Sequence, residues 1–180
     1  MGDSQIKMKC PIEVLKMVLS REVGEDTLEL VQFLKKNGET SEFVLAKKLK
    51  EDVNGIRNQI YRLQKVNLVK YSKKKDKEKG WYVYFWDLKL ENFGFRYHKI
   101  LENEILALEK IIKRKEDKEF FTCKNNCVEI NYEDGLNSNY TCPECGEALD
   151  LCDVKKEIEV YKKRIERLKQ YMDKYSSLLQ

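Results

Sequence analysis

Residues 120–152 read FFTCKNNCVEINYEDGLNSNYTCPECGEALDLC, and two pairs of cysteines divide that stretch. Cys123 and Cys127 have three residues between them, Cys142 and Cys145 have two, and fourteen residues separate the pairs. Each pair can set two thiolates on one tight turn, and two such turns close a tetrahedral four-sulfur site. That donor set suits zinc, which accepts soft ligands and has no redox chemistry of its own. In the second turn, Cys142-Pro143-Glu144-Cys145-Gly146, proline presets the bend and glycine can take the positive φ that aims backbone N–H groups at sulfur. Short β-like runs flank the turns at Phe120–Thr122, Val128–Tyr132, Tyr140–Thr141 and Ala148–Leu151. The reading is a zinc ribbon holding one structural Zn²⁺ on Cys123, Cys127, Cys142 and Cys145. A segment this short cannot build a core without such a staple.

Four thiolates leave no open coordination position, so the metal is expected to be structural. The stretch carries one base, Lys124, and six acids, Glu129, Glu133, Asp134, Glu144, Glu147 and Asp150, for a net of −5. Zinc with four thiolates brings this to about −7, which a phosphate backbone repels. The expected partner of the ribbon is therefore protein with a basic surface.

Outward from the ribbon, the 180 residues carry 37% charged and 42% hydrophobic side chains. That allows one modest domain and smaller modules, and excludes a large enzyme core. No run approaches a membrane span and the N-terminus has no apolar signal core. With six cysteines, four of them at ligand spacing, a reducing cytoplasm is expected. Cys10 and Cys152 read as small, semi-buried residues. Residues 1–88 are net +5, 89–119 net +1 and 153–180 net +3. No large basic field exists, so tight DNA binding by the chain alone is not expected.

The four expected segments are a winged helix (1–88), a helical linker (89–119), the ribbon (120–152) and a heptad helix (153–180). Residues 1–10 read as a loose start. Apolar residues at helical spacing mark 11–20 as a helix begun by Pro11. Asp26 reads as the N-cap of a second helix that ends at Asn37-Gly38. Thr40 or Ser41 caps a third, and Asn54 a fourth with the stripe Ile56, Ile60 and Leu63. A strand at 68–71, a polar loop SKKKDKEKG (72–80) and a strand WYVYFWDL (81–88) follow. That order is a winged helix-turn-helix, with the loop as its wing.

The loop has five lysines and two acids, among them Lys73, Lys74 and Lys75. Helix four carries Arg57, Arg62 and Lys65 and no acid. These read as contacts for phosphates or an acidic protein surface, with a plain solvated face as the alternative. Along the second strand Trp81, Val83 and Phe85 share one side, and Tyr82, Tyr84 and Trp86 the other. Both sides are apolar. The second either packs on the following helix or offers aromatic anchors to a partner.

Residues 92–118 read as one long helix with Tyr97, Leu101, Ile105 (or Glu104), Leu108 and Ile112 at coiled-coil spacing. His98, the only histidine, is expected to be a surface or semi-buried residue. After the ribbon, Val154, Ile158, Tyr161, Ile165, Leu168, Met172, Tyr175 and Leu179 step 4, 3, 4, 3, 4, 3, 4. That regular a/d seam needs a helical partner. Closing a short loop in cis costs less than dimerisation, so the expected arrangement is an intramolecular antiparallel coiled coil with the ribbon at its tip. The fold class is thus mainly α, with small β elements.

A winged helix bearing Gly80-Trp81-Tyr82-x-Tyr84-x-Trp86, then a long charged helix, then a ribbon with Cys123, Cys127, Cys142, Cys145 and Gly146, resembles archaeal transcription factor E, the counterpart of the TFIIE α subunit. The likeness covers about residues 11–152. It implies a basal initiation factor and not an enzyme. Such a factor would bind RNA polymerase at the clamp and stalk and help open promoter DNA. It would stabilise the open complex with the TATA-binding protein and factor B; from the charge balance and the in-cis helix pairing, weak contact with promoter DNA and a monomer are expected. The terminal heptad helix has no counterpart in the family's motif. The competing reading is a homodimeric winged-helix repressor, with Arg57, Asn58, Gln59 and Arg62 reading bases and the heptads as dimer seam. A zinc enzyme fails on the closed site.

Overall fold

The computed structural model describes residues 10–75, 80–116 and 118–176. Most of the expected loose start, the wing tip at 76–79 with Lys77 and Lys79, and Leu179 of the heptad seam lie outside the described residues. The described residues fall into two compact units. One comprises those up to Ile100 together with those from Lys174 onward, and the other is Leu101–Asp173.

The first unit is a winged helix. Helices α1 (Ile12–Glu22), α2 (Leu28–Asn37), α3 (Glu42–Leu49) and α4 (Val53–Lys65) surround an apolar centre. Leu15, Leu19, Leu30, Leu34, Leu45, Ile56, Ile60 and Leu63 are almost fully buried in it. Each such side chain contributes roughly 1.5–3 kcal/mol. Helix α2 stops at Gly38, whose φ of 73° is the glycine-favoured conformation. Ser41 caps α3, accepting from Val44 N at 3.4 Å.

Two predicted caps are corrected. Asp52, not Asn54, caps α4, its Oδ1 accepting from Asn54 N and Gly55 N. Asp26 does not cap α2. A short 3₁₀ turn at Glu25–Thr27 leads into that helix, and the Asp26 carboxylate instead meets Arg62.

Strands β1 (Thr40–Ser41), β2 (Val69–Lys75) and β3 (Tyr82–Leu88) form an antiparallel sheet with β3 in the middle. The wing pairs Val69 with Leu88, Tyr71 with Trp86, Lys73 with Tyr84 and Lys75 with Tyr82. The predicted strand at 68–71 therefore runs four residues further, into the lysines assigned to the loop.

Helix α5 (Leu90–Glu116) starts in this unit. Its Phe93 and Tyr97 are buried, and Arg96 pairs with Glu22. Tyr97 meets Tyr175 edge to face at 5.5 Å between centroids. His98 is buried rather than exposed, with Nε2 3.3 Å from the Tyr175 carbonyl oxygen.

In the second unit α5 continues and runs antiparallel to α7 (Val154–Lys174). Arg164 binds Glu104 at 2.8 Å and Lys162 reaches Glu116 at 3.5 Å. Leu101, Ile105 and Ile112 are buried on α5, and Ile158, Ile165 and Leu168 on α7. The heptad seam is thus the inward stripe of a helical hairpin formed within one chain. Between the helices lies a second sheet, in the order β5 (Glu129–Asn131), β4 (Phe120–Cys123), β6 (Leu149–Leu151).

A helix absent from the sequence reading, α6 (Tyr132–Asn137), follows β5. Asn131 caps it by accepting from Asp134 N at 3.0 Å, and Glu133 and Asp134 sit in its first turn. Asn-x-x-Asp was the available signal.

Candidate metal centre and wing surface

The four predicted ligands come together. The sulfurs of Cys123, Cys127, Cys142 and Cys145 all lie within 4.8 Å of one another, and those of Cys123 and Cys145 are 3.4 Å apart. Sulfurs bound tetrahedrally at about 2.3 Å from one ion stand about 3.8 Å apart, so the cluster can hold a metal ion.

Backbone geometry aims them. Cys123 N donates to Val128 O at 3.2 Å and Cys142 N to Glu147 O at 2.7 Å, closing both turns the same way despite their different lengths. The extra residue of the first turn is absorbed at Asn126, with φ 55°, and the second turn closes at Gly146, with φ 76°. Asn125 N donates to Cys123 Sγ at 3.4 Å. The Glu147 backbone N–H, helped by the neighbouring thiols, draws Cys145 down to about 7. Cys127, hydrogen-bonded to Cys145, is pushed up to about 12. Metal binding requires all four sulfurs to give up their protons, so the affinity of such a cluster rises with pH.

The ribbon's own core is small: Cys123, Cys142 and Leu149, with Phe121, Val128 and Ile130 against them. A second layer of rings covers it. Phe121 and Tyr140 stack at 4.7 Å, and Tyr132 lies 6.5 and 6.3 Å from them. Gly135 makes this possible, because a Cβ there would meet Tyr140 Cε1 at 2.9 Å and Cδ1 at 3.0 Å. Alanine at a helical glycine ordinarily gains up to about 1 kcal/mol. Here overpacking costs about 1–3 kcal/mol and outweighs it. Gly135→Ala is expected to weaken metal binding about ten-fold in a chelator competition; unchanged or tighter binding would contradict this packing.

Another group, Glu129, Cys152 and Glu157, also brings its ligand atoms within 4.8 Å. The Lys115 ammonium already sits there, 2.6 Å from Glu129 and bonded to Glu157. A second metal would have to displace it, so this is an ion-pair network.

The residues read as contacts on the first unit are dispersed and largely engaged. Arg57 binds Glu42, whose hydrogen bond raises the guanidinium pKa further above its usual value. Arg62 binds Asp26 and donates to Val23 O at 2.9 Å, and the guanidinium holds the Asp26 carboxyl below its usual range. Gln59 is buried and donates to Glu51 at 2.8 Å. Lys74 binds Glu39 at 2.7 Å and lies over the Phe85 ring. Lys73 lies over Tyr84 at 5.3 Å, and Lys75 is exposed.

The aromatic face of β3 grades from root to tip. Trp86 is 4% exposed, Tyr84 36% and Tyr82 63%, while Trp81 is 59% exposed. Trp86 is therefore corrected: it belongs to the core, against Tyr71 at 5.5 Å, and offers no outward surface. Alternation of faces gives the side of a strand and not the depth at each point along it.

Fold and site together define a winged-helix protein with a four-cysteine ribbon mounted on a helical hairpin. The chain belongs to the family described as the TFIIE alpha subunit, which it matches over residues 13–121. It is 32% identical to Transcription factor E of Sulfurisphaera tokodaii over 88% of this chain and 92% of that protein. With Transcription factor E of Methanococcus maripaludis it shares 29% identity over 89% and 93% of the two chains. With that of Archaeoglobus fulgidus it shares 29% over 89% and 90%. These matches bear out the resemblance carried by the wing and ribbon motifs, and make the chain a transcription factor of that family. Its family match ends two residues before Cys123. No helix among the described residues is long and apolar enough to cross a membrane.

Proposed function

We propose that the protein is a basal transcription initiation factor, acting as a cytoplasmic monomer without enzymatic activity. It binds RNA polymerase at the clamp and stalk, assists promoter opening, and stabilises the open complex with the TATA-binding protein and factor B. One structural Zn²⁺ on Cys123, Cys127, Cys142 and Cys145 holds the ribbon. The working modules are 1–88, 89–119, 120–152 and 153–180.

The observation that carries this reading within the family is the wing. Trp81 and Tyr82 are more than half exposed beside a strand of lysines, an arrangement suited to protein anchors or to stacking on melted bases. The repressor reading is disfavoured by helix four, where Arg57, Gln59 and Arg62 are all held by Glu42, Glu51 and Asp26. Reading bases would mean breaking each of these bonds. Duplex binding by the chain alone is accordingly weak, independent of sequence and sensitive to salt.

The test is a double substitution, Trp81→Ala with Tyr82→Ala. Truncating two anchors is expected to weaken polymerase binding and open-complex formation at weak promoters about ten-fold or more, with the thermal transition of the winged helix unchanged. Full activity in that variant would remove the wing from the contact surface. Sequence-selective footprints by the isolated protein would restore the repressor.

A further inference from the structure

The ribbon carries a cleft of about 350 Å³ lined by Lys118, Glu119, Asn131, Tyr132 and Glu133. We propose that this cleft receives a single arginine side chain from a basic loop of a protein partner. The inference rests on the reading of the acidic ribbon as a protein-binding module, and names the chemistry it recognises.

One wall is aromatic and prepositioned. Tyr132 N donates to Glu119 O at 3.2 Å, and the ring is backed by Phe121 and Tyr140. Tyr132 nonetheless stays 48% exposed. Gly135 lets Tyr140 pack closely there, so the ring is held edge-on by its neighbour while about half of the residue stays exposed. The other walls supply charge. Among the described residues neither Glu119 nor Glu133 has an ion pair, whereas the neighbouring Glu129 is held by Lys115. Lys118 is the one lining cation, so the lining residues stay net negative, within a ribbon of −5.

Asn131 and Asp134 are occupied with each other and with the start of α6. They leave the two glutamates as the acceptors. A planar guanidinium can stack on a ring and accept carboxylates at its edge at the same time, which an ammonium cannot do as well. That combination distinguishes the cleft from Glu144 and Glu147, exposed carboxylates of the second cysteine turn.

The test uses the full-length, zinc-loaded chain and amide NMR titration with acetyl-Gly-Arg-Gly-amide, against the same peptide with neutral citrulline in place of arginine. Saturable shifts are expected at Asn131, Tyr132 and Glu133, at least five-fold weaker with citrulline. They should survive Tyr132→Phe and be lost in Tyr132→Ala and in Glu119→Gln/Glu133→Gln. Should Tyr132→Ala lose its zinc, the double glutamine variant decides. Equal shifts from both peptides, no shifts, or shifts spread evenly to Glu144 and Glu147 would overturn the proposal. Polymerase binding by the wild-type chain tests the parent reading separately. If the wild type binds and the double glutamine variant binds equally, the cleft is not the contact.

Discussion

Cys142→Ser is expected to abolish metal binding and unfold residues 120–152, while the winged helix keeps its own thermal transition. Two of the three buried residues in the ribbon's core are Cys123 and Cys142 themselves. Remove the ion and almost no apolar centre is left. Structural zinc supplies on the order of 10 kcal/mol to so small a module. The first unit draws on a separate core of leucines and isoleucines from four helices and loses nothing. Elemental analysis should fall from one zinc per chain to none. Hydrogen exchange should become fast through β4, β5, α6 and β6 and stay slow in α1–α4. Slow exchange in the ribbon of the metal-free variant would sink the assignment.

Lys115→Met is expected to be the most damaging change outside the cysteines in the second unit. Only 3% of the Lys115 side chain is exposed, yet its ammonium binds Glu129 and Glu157, and Cys152 donates to the other Glu157 oxygen at 3.0 Å. Burial opposes its charge, but the hydrogen bonds to the two glutamates outweigh that and hold its pKa up at about 12. Cys152 and Lys115 hold the Glu157 carboxyl below its usual range.

Methionine keeps an aliphatic stem but removes the ammonium that lies over the Phe120 ring, and leaves two carboxylates facing each other. Losing one member of a buried pair costs several kcal/mol. With the glutamates 33% and 37% exposed, screening reduces this to about 2 kcal/mol. The Lys115 pKa is raised above its unfolded value of 10.5. Its contribution is therefore complete below that pH and lost as pH climbs toward about 12. Urea unfolding of wild type and variant should show a constant gap from about pH 6 to about pH 9 that closes above about pH 10.5. A gap that is absent, or that widens in alkali, would show that the pair adds no stability.

The ribbon and the hairpin were legible because their signals are local. Four cysteines at ligand spacing and a seam that steps 4, 3, 4, 3 each state their own requirement for partners. Helix α6 was easily missed, since six residues interrupted by Gly135 carry no readable periodicity and only the Asn131-x-x-Asp134 cap signals it. The engagement of helix four was hidden for a different reason. Arg57 meets Glu42 fifteen residues away, and Arg62 meets Asp26 thirty-six residues away. Nothing in a run of basic residues says which of them tertiary structure has already neutralised. Asp26 failed as a cap for the same reason: its carboxylate was wanted elsewhere. Trp86 shows the limit of strand alternation, which separates two sides but cannot tell a buried root from an exposed tip.

The hairpin also sets a folding order. Its cross-helix contacts join residues progressively farther apart in the chain: 42 between Lys115 and Glu157, 60 between Glu104 and Arg164, 77 between His98 and Tyr175. Formed from an open chain, each would be a slow, long-range encounter. Once the metal has drawn Cys123 to Cys145, the two helix ends beside the ribbon are neighbours, and each contact closes only a short stretch beyond the one before it. The helices are then expected to zip from the ion outward, with the tyrosine pair at Tyr97 and Tyr175 meeting last, an order that pulse-labelled hydrogen exchange during metal-triggered refolding would check. On that order, metal supply is expected to govern a rate as well as an endpoint. A chain starved of its metal would then leave the apolar stripe of α7 uncovered for longer, the period of greatest exposure to aggregation and proteolysis.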